Sequence, residues 1–299
     1  MTRPGYRIGV VGAGRVGAVL AAALRSAGHE VSAVAGESAA SRTRIETLLP
    51  GVHVDKPTAV SRSADLLLLT VPDDMLANVV TMLAASGAIR PGQYVVHTSG
   101  KHGLAVLDPA VRVGARVLAM HPAMTFTGTD LDLGRLPGCM YGVTATTETR
   151  ELAERLVADL GGSTVWVPED KRTLYHAGLA HGANHMVTLV AQSMDLLRAS
   201  GATDPAGTLR PLLNAALDNA LAYGDAALTG PIVRGDVETV RAHLADIAVT
   251  APATLDSYVA MARATARRAV ADGRLLPIRA AKLERILDEA VITSRSARR

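Results

Sequence analysis

The stretch Arg7-Ile8-Gly9-Val10-Val11-Gly12-Ala13-Gly14-Arg15-Val16-Gly17 decides the fold of this chain. It begins as a short apolar run typical of a buried strand, and it continues with the glycine spacing GxGxxG at the start of a helical pattern. In such a turn the first glycine permits the tight bend, the second lets the backbone approach a pyrophosphate, and the third allows close packing of helix and strand. The free amides at the helix N-terminus attract the anion. The motif therefore predicts a dinucleotide site formed by Gly12, Ala13, Gly14, Arg15, Val16 and Gly17.

Short apolar runs alternate with helical patterns from Arg7 to about Val167. Such alternation is typical of parallel strands joined by crossover helices, and the near-continuous Val and Leu content indicates burial on both faces. We predict strands at 7–11, 30–35, 65–71, 94–97, 116–120, 140–144 and 164–167, and helices at about 16–27, 74–86 and 147–160. The first half is thus predicted to be α/β, with a Rossmann-type, doubly wound and mostly parallel sheet.

After Pro168 no strand pattern recurs, and Ala- and Leu-rich stretches with helical spacing run to the end. We therefore predict a cofactor-binding domain over 1–168 and an all-helical substrate and dimerisation domain over 169–299.

Composition excludes several classes of protein. The chain has 299 residues, 48% of them hydrophobic, and a formal net charge of only +3, which argues against a nucleic-acid partner. The strongest apolar run, Ala64 to Pro72, is too short to span a membrane. The lone Cys139 cannot form an intrachain disulfide, which fits a cytoplasmic protein.

The ends of the second and third strands should contact the cofactor. Glu37 is placed to accept a hydrogen bond from a ribose hydroxyl of NAD, whereas a basic and hydroxyl-rich group favours the 2′-phosphate of NADP. That group consists of Ser38, Ser41, Arg42 and Arg44, and either set could instead be a solvated loop. The pattern favours NADP over NAD. The third strand ends at Val71, Pro72 and Asp73, which we also assign to the cofactor, although Asp73 could serve only as a helix cap.

The next strands end in residues suited to proton transfer. His97 and Ser99 follow one strand, and His121 follows the next. Imidazole titrates near neutral pH, so a histidine at this edge can move a proton or polarise a carbonyl. We predict a structural role for His97 and a catalytic role for His121 and Ser99.

The first helix of the second half carries a polar stripe on an otherwise apolar surface. Its members are three or four residues apart, namely His181, Asn184, Thr188, Gln192 and Asp195. We assign His181 and Asn184 to the catalytic site. His181, His185 and His176 could instead ligate zinc, but no glutamate occupies the metalloprotease position, so no metal is predicted.

A loop in the second half has the chemistry of a carboxylate-binding site. Thr229, Gly230 and Arg234 precede Asp236, a plausible helix cap, and an arginine can pair bidentately with a planar anion. The alternative is a simple turn.

Six segments together resemble an actinobacterial family that joins a Rossmann-like domain to an all-helical domain of unknown function. They are GAGRVG at 12–17, VPDD at 71–74, HTSG at 97–100, HPAMTFTG at 121–128, HAGLAHGANH at 176–185 and LTGPIVRGD at 228–236. More distantly, the chain is similar to pyrroline-5-carboxylate reductase, ketopantoate reductase, and the 6-phosphogluconate and hydroxyisobutyrate dehydrogenases. That resemblance implies NAD(P)H binding by the first domain and a homodimer formed through the helical one. The Ala-rich helix from Thr254 to Ala271 is the predicted subunit interface.

The resemblance also implies residue roles. Asn184 resembles the asparagine with which these dehydrogenases hold substrate, but the lysine expected four residues earlier is Ala180 here. Ser99 and His121 resemble the catalytic serine and histidine of prephenate dehydrogenases. The expected function is an NAD(P)H-dependent oxidoreductase of a small oxo acid, hydroxy acid or cyclic imine, with ketopantoate as the most concrete substrate. The alternative is a nucleotide-binding sensor or scaffold without catalysis.

Overall fold

The computed structural model describes residues 4–297 of the chain. Contacts between residues divide the chain into two compact units, Met1–Gly182 and Ala183–Arg299. The division falls inside one long helix, a few turns after the position near Pro168 at which the sequence changes from strands to helices.

The first unit is built on one eight-stranded sheet with the order β3-β2-β1-β4-β5-β6-β7-β8. All neighbouring strands are parallel except β6 and β7, which are antiparallel. The strands are β1 (Arg7–Val11), β2 (Glu30–Ala35), β3 (His53–Val54), β4 (Leu66–Leu69), β5 (Tyr94–His97), β6 (Arg116–Pro122), β7 (Met140–Ala145) and β8 (Ser163–Trp166). The predicted Rossmann-type sheet is confirmed. Its order reverses between β1 and β4, the position at which doubly wound sheets collect ligands.

Helices cover both faces of the sheet. They are α1 (Arg15–Ser26), α2 (Ala39–Leu48), α3 (Pro57–Arg62), α4 (Asp73–Ala85), α5 (Asp108–Arg112) and α6 (Arg150–Asp159), with short 3-10 turns at Ala105–Leu107, Asp130–Arg135, Thr147–Thr149 and Glu169–Lys171. The three predicted helices match α1, α4 and α6 to within a few residues. The sequence prediction missed α2, which buries only Ile45 and Leu48 and so has little apolar periodicity.

Two apolar layers hold these helices to the sheet. One contains Ile8, Leu20 and Leu156, and the other contains Leu67, Leu76 and Val95. The central strand β4 sends Leu66 and Leu68 into the first layer and Leu67 and Leu69 into the second. Strands buried on both faces are what the continuous apolar runs predict.

In its described residues the second unit contains helices and turns but no strand. The long helix α7 (Arg172–Ala199) leads into it and is followed by α8 (Pro205–Tyr223), a 3-10 turn at Gly224–Ala227, α9 (Pro231–Arg234), α10 (Val237–Thr250), α11 (Pro252–Ala271) and α12 (Pro277–Ala297). Within the described residues, none of these helices is long and apolar enough to cross a membrane.

The second unit has its own core between α10, α11 and α12. Ala262, Ala266 and Ala269 of α11 are buried in that core. One face of the Ala-rich helix therefore packs inside the unit, and its use as a subunit interface stays a prediction. Several helices of this unit carry exposed apolar side chains, and one of them is α8, where Leu212, Leu217 and Leu221 are 63%, 46% and 79% exposed.

Candidate functional site

The three glycines of the turn between β1 and α1 have different surroundings. Gly12 has a φ of +103°, and a Cβ there would lie 2.7 Å from the Thr70 carbonyl carbon. A Cβ on Gly17 would lie 2.2 Å from Thr70 Oγ1, the hydroxyl that donates to the Gly12 carbonyl. A Cβ on Gly14 would meet only the Gly12 carbonyl oxygen, at 3.9 Å. Two glycines therefore allow close packing, and Gly14 faces open space.

That space is a cavity of about 540 Å³ at the carboxyl ends of β1, β2 and β4. Most of the predicted cofactor residues line it, namely Gly12, Ala13, Gly14, Arg15, Glu37, Ser38, Val71 and Pro72, and so do Ser41, Arg44 and Met75. Gly17 lies behind the turn, against Thr70. A cavity with the N-terminus of a helix at its edge fits the diphosphate of a dinucleotide.

Besides Gly17, three predicted cofactor residues are not among those lining the cavity, namely Val16, Arg42 and Asp73. Arg42 is exposed on α2, whose N-cap Ser38 accepts from the Ser41 amide. Ser41 and Arg44 are three residues apart and share one face of the helix, so they reach the cavity and Arg42 does not. Asp73 is instead the first residue of α4.

A loop after β6 contacts the basic side of the cavity. A Cβ on Gly128 would lie 2.6 Å from Arg44 Nε and 2.9 Å from Arg15 Cγ. The fully buried Asp132 shapes this loop by accepting from the amides of Thr127 and Gly128, at 2.8 and 2.7 Å. In the part of the chain that the structure describes, Arg15 and Arg44 form no ion pair with a carboxylate.

His121, at the end of β6, belongs to a second polar group. Its Nδ1 lies 3.1 Å from the Tyr175 hydroxyl, and its ring is perpendicular to that of His176 at 5.8 Å between centroids. Gly142 of β7 pairs with His121 across the antiparallel ladder. A Cβ on Gly142 would lie 2.4 Å from the Tyr175 hydroxyl, so the missing side chain makes room for Tyr175 beside His121.

The surroundings keep both members of this pair uncharged at neutral pH. Burial lowers the pKa of His121 from 6.5 to about 4, and the positive charge of Arg172 and the neighbouring His176 act in the same direction. Burial raises the pKa of the Tyr175 hydroxyl, with Arg172 opposing that rise. His121 is therefore a neutral imidazole that can accept a proton on one nitrogen and donate from the other.

Arg172, the first residue of α7, is fully buried without a carboxylate partner among the described residues. It donates to the carbonyl oxygens of Gly142 and Ser99 and, at 3.4 Å, to Thr144 Oγ1. Its Nε has no partner there. Burial lowers the pKa of Arg172. Because a buried cation without an ion-pair partner is costly, its presence here indicates a functional need for positive charge.

Ser99 and His97 are held by the backbone around them. His97 Nδ1 accepts from the Ser99 amide at 3.1 Å, and His97 Nε2 lies 2.8 Å from the Gly103 carbonyl oxygen. Burial lowers the pKa of His97 to about 4. Ser99 Oγ accepts from the His102 amide at 3.2 Å. His97 thus fixes the turn after β5, in keeping with its predicted structural role, and the Ser99 hydroxyl proton stays available.

The sequence did not predict a role for Tyr175 or Arg172, and it offered His176 only as a possible zinc ligand. They sit at the start of α7, 50 or more residues from His121 along the chain, and only the tertiary fold brings them to β6. The one available signal was a Tyr-His pair just before the polar stripe.

The remaining predicted residues lie along α7 and in the second unit. His181 is exposed near the end of the first unit, and Asn184 is exposed at the start of the second. Gly230 has a φ of +93° and is the N-cap of α9, while Arg234 is exposed. Over the described residues, no three His, Cys, Asp or Glu side chains are arranged to hold a metal ion.

Comparison with known families identifies both halves of the chain. Residues 1–122 match the model of a Rossmann-like domain, and residues 139–265 match that of a domain of unknown function, DUF2520. The chain thus joins a Rossmann-like domain to DUF2520, the arrangement implied by the resemblance. No curated protein matches the sequence.

Three solved structures illustrate the similarity of fold. A candidate NADP oxidoreductase from Bacteroides fragilis is 19% identical with a TM-score of 0.74, over 88% of this chain and 98% of that one. A reductive aminase from Aspergillus terreus in complex with NADPH and ethyl levulinate is 20% identical with a TM-score of 0.65, over 94% and 99%. A pyrroline-5-carboxylate reductase from Coxiella burnetii is 13% identical with a TM-score of 0.54, over 95% and 97%. At these identities the matches establish a shared fold.

Proposed function

We propose that this protein is an NAD(P)H-dependent reductase or dehydrogenase that transfers a hydride to or from a small oxo acid, hydroxy acid or cyclic imine. One observation carries the proposal. The cavity beside the Gly12–Gly17 turn, called the cradle below, lies on the same edge of the sheet as the hydrogen-bonded pair of His121 and Tyr175. The strand order places β6 three strands from β1, or about 14 Å at the usual spacing between strands. The names of two proteins with the same fold, an NADP oxidoreductase and a reductive aminase in complex with NADPH, support it.

Different residues of the first unit would bind the cofactor and transfer the proton. The amides at the start of α1 would hold the diphosphate. The side of the cavity next to β2 and α2 would hold the adenosine half of the cofactor, and the β4 end would hold the nicotinamide half. When bound, a reduced nicotinamide supplies a hydride to the substrate carbon. His121 would exchange a proton with the substrate oxygen or nitrogen, and the Ser99 hydroxyl would orient that atom by a hydrogen bond. Ketopantoate is the most specific substrate that we propose.

The basic side of the cavity favours NADP. Arg44, Ser38 and Ser41 line it, and no described carboxylate pairs with Arg44. A 2′-phosphate would provide that charge partner through charge-assisted hydrogen bonds. Replacing Arg44 by Ala should weaken NADPH binding about 10-fold or more and leave NADH binding within about 3-fold, since one such bond contributes about 1.5–3 kcal/mol. Arg42→Ala, on the outer face of the same helix, is the matched control. Equal loss for both cofactors would contradict the assignment.

We further propose a homodimer in which a second copy covers α8. Of its 19 residues only Pro205 and Leu209 are buried, and its leucines point to water on several sides. A helix exposed all round is not stable on its own in water. A second copy is the partner present wherever the chain is made, and two-fold dimers are the commonest assemblies. Light scattering should give twice the 31.0 kDa chain mass, and Leu212→Glu with Leu221→Glu should lower it; a monomeric wild type refutes the dimer.

Calorimetric titration with NADPH and NADH tests the function first. A screen of 2-oxo acids, including ketopantoate, and cyclic imines then follows the loss of reduced cofactor by its absorbance at 340 nm. Binding of one cofactor, together with its oxidation in the presence of one of these compounds, supports the reductase. In that assay His121→Ala should abolish turnover and leave cofactor affinity unchanged. The control is His243, which is hydrogen-bonded to Tyr258 in the second unit, and His243→Ala should change neither turnover nor affinity. Binding without turnover supports a nucleotide-binding sensor, and the absence of binding refutes both.

A further inference from the structure

We infer that Tyr175 is the proton source behind His121 and that the buried Arg172 compensates the negative charge left on Tyr175. The inference rests on the proposed reductase activity for its chemistry and on the geometry of the first unit for its residues. Tyr175 acts through His121, so it is a positioning and relay residue.

The two nitrogens of His121 have different surroundings. Nδ1 faces the Tyr175 hydroxyl at 3.1 Å. Nε2 lies beside Gly100, where an added Cβ would approach it to 3.0 Å, and it has no hydrogen-bond partner in residues 4–297. A protonated tyrosine hydroxyl that donates to Nδ1 fixes the neutral tautomer with its proton on Nε2. The pair therefore presents a donor at Nε2.

The relay moves one proton at each end. When the substrate carbonyl carbon accepts the hydride, its oxygen keeps the electron pair of the carbonyl π bond and takes the proton from His121 Nε2. Nδ1 takes the proton of the Tyr175 hydroxyl, so the imidazole stays neutral. The negative charge passes from the substrate oxygen to the Tyr175 oxygen, and a proton from water restores the hydroxyl.

The positive charge of Arg172 would stabilise the negative charge on the Tyr175 oxygen. Its guanidinium carbon lies 5.8 Å from the centre of the Tyr175 ring, and its own hydrogen bonds go only to neutral oxygens. A phenolate formed beside a buried cation that has no ion-pair partner is stabilised far more than in water. The relay thus explains why Arg172 is buried without a carboxylate. The charged and titratable groups around the pair are Arg172, His176, Asp73 and Cys139.

Gly142 is the structural condition for the relay. It stands opposite His121 in the β6–β7 ladder, and any larger residue would fill the position of the Tyr175 hydroxyl. The same ladder places Tyr141 next to it, with a buried hydroxyl that has no hydrogen-bond partner in the described chain. Tyr141→Phe therefore removes a nearby hydroxyl without touching His121, which makes it the matched control for Tyr175→Phe.

The test begins with the tautomer of His121, which needs no substrate. Nitrogen NMR of the full chain with ¹⁵N-labelled histidine, assigned by loss of signals in His121→Gln, should show an unprotonated Nδ1 and a protonated Nε2 at pH 7. Tyr175→Phe should shift the Nδ1 resonance and mix the two tautomers, and Tyr141→Phe should leave both unchanged. A proton on Nδ1 in the wild type, or no response to Tyr175→Phe, overturns the relay.

Kinetics on any carbonyl probe that the wild type reduces provide the second test. Tyr175→Phe should lower kcat about 100-fold or more, the range of positioned acid–base groups, with KM and the NADPH Kd within about 3-fold. Retention of kcat within about 3-fold overturns the relay. A wild-type protein that binds NADPH but reduces no probe contradicts the proposed function, and the tautomer measurement then decides the relay alone.

Discussion

The glycine turn allows its two functions, binding and packing, to be separated by paired substitutions. Replacing Gly14 by Ala adds a methyl group that meets only the Gly12 carbonyl oxygen, at 3.9 Å, and Gly14 already has a φ of −78° that alanine adopts. The folded chain should tolerate this change, with a free energy of unfolding within about 1 kcal/mol of wild type, the usual range for a lost glycine N-cap. The methyl group nevertheless projects into the space assigned to the diphosphate.

The expected effect on binding follows from that projection. Moving the diphosphate away from the helix N-terminus loses at least one charge-assisted hydrogen bond, worth about 1.5–3 kcal/mol. Since about 1.4 kcal/mol is a factor of ten in affinity, the NADPH Kd should rise about 10- to 100-fold.

Gly17→Ala should act in the opposite way. Its Cβ would lie 2.2 Å from Thr70 Oγ1 and 2.4 Å from the Gly12 carbonyl oxygen, so backbone must move and the Thr70 hydrogen bond is disrupted. Overpacking of this kind costs about 1–3 kcal/mol of folding free energy. Calorimetric titration with NADPH and urea unfolding of both variants give the two readouts. Wild-type affinity in Gly14→Ala, or a stability loss larger than that of Gly17→Ala, would refute the assignment of the cradle.

Two further predictions concern stability. The pKa values of His97 and His121 are lowered to about 4, so the unfolded chain binds their protons first as pH falls. This contribution to the free energy of unfolding is present above pH 6.5 and should fall between pH 6.5 and 4 by about 2–3 kcal/mol per histidine. Urea unfolding of His121→Gln across this range should show a shallower dependence of that free energy on pH. An unchanged dependence would exclude His121 as a source. Asp132→Ala should lower the free energy of unfolding by about 2–4 kcal/mol, because it leaves the buried amide of Gly128 and the partly buried amide of Thr127 without their acceptor. The exposed Asp130→Ala on the same turn should cost less than about 0.5 kcal/mol, and equal effects would show that burial of Asp132 is not the cause.

Much of the fold, and the glycine turn before α1, could be predicted from the sequence because both depend on local patterns of residues. The strands of the first unit are continuous apolar runs, and the turn at Gly12, Gly14 and Gly17 depends on spacing over six residues. Helix α2 was missed because it buries only two side chains and has a weak apolar pattern. For the same reason Arg42 was chosen along with Arg44, since the face of an unrecognised helix cannot be assigned.

The sequence alone determined a Rossmann-type sheet with a glycine cradle, a following helical region and a histidine at the end of β6. Only the tertiary structure decided what that histidine contacts. Tyr175 reaches His121 because β7 runs antiparallel to β6 and sets Gly142 opposite it, a register fixed by backbone hydrogen bonds between distant segments. Arg172 is buried beside them because α7 begins against the same strands. Contacts between residues 30 to 70 positions apart depend on how strands pair and helices pack, and local periodicity does not encode that.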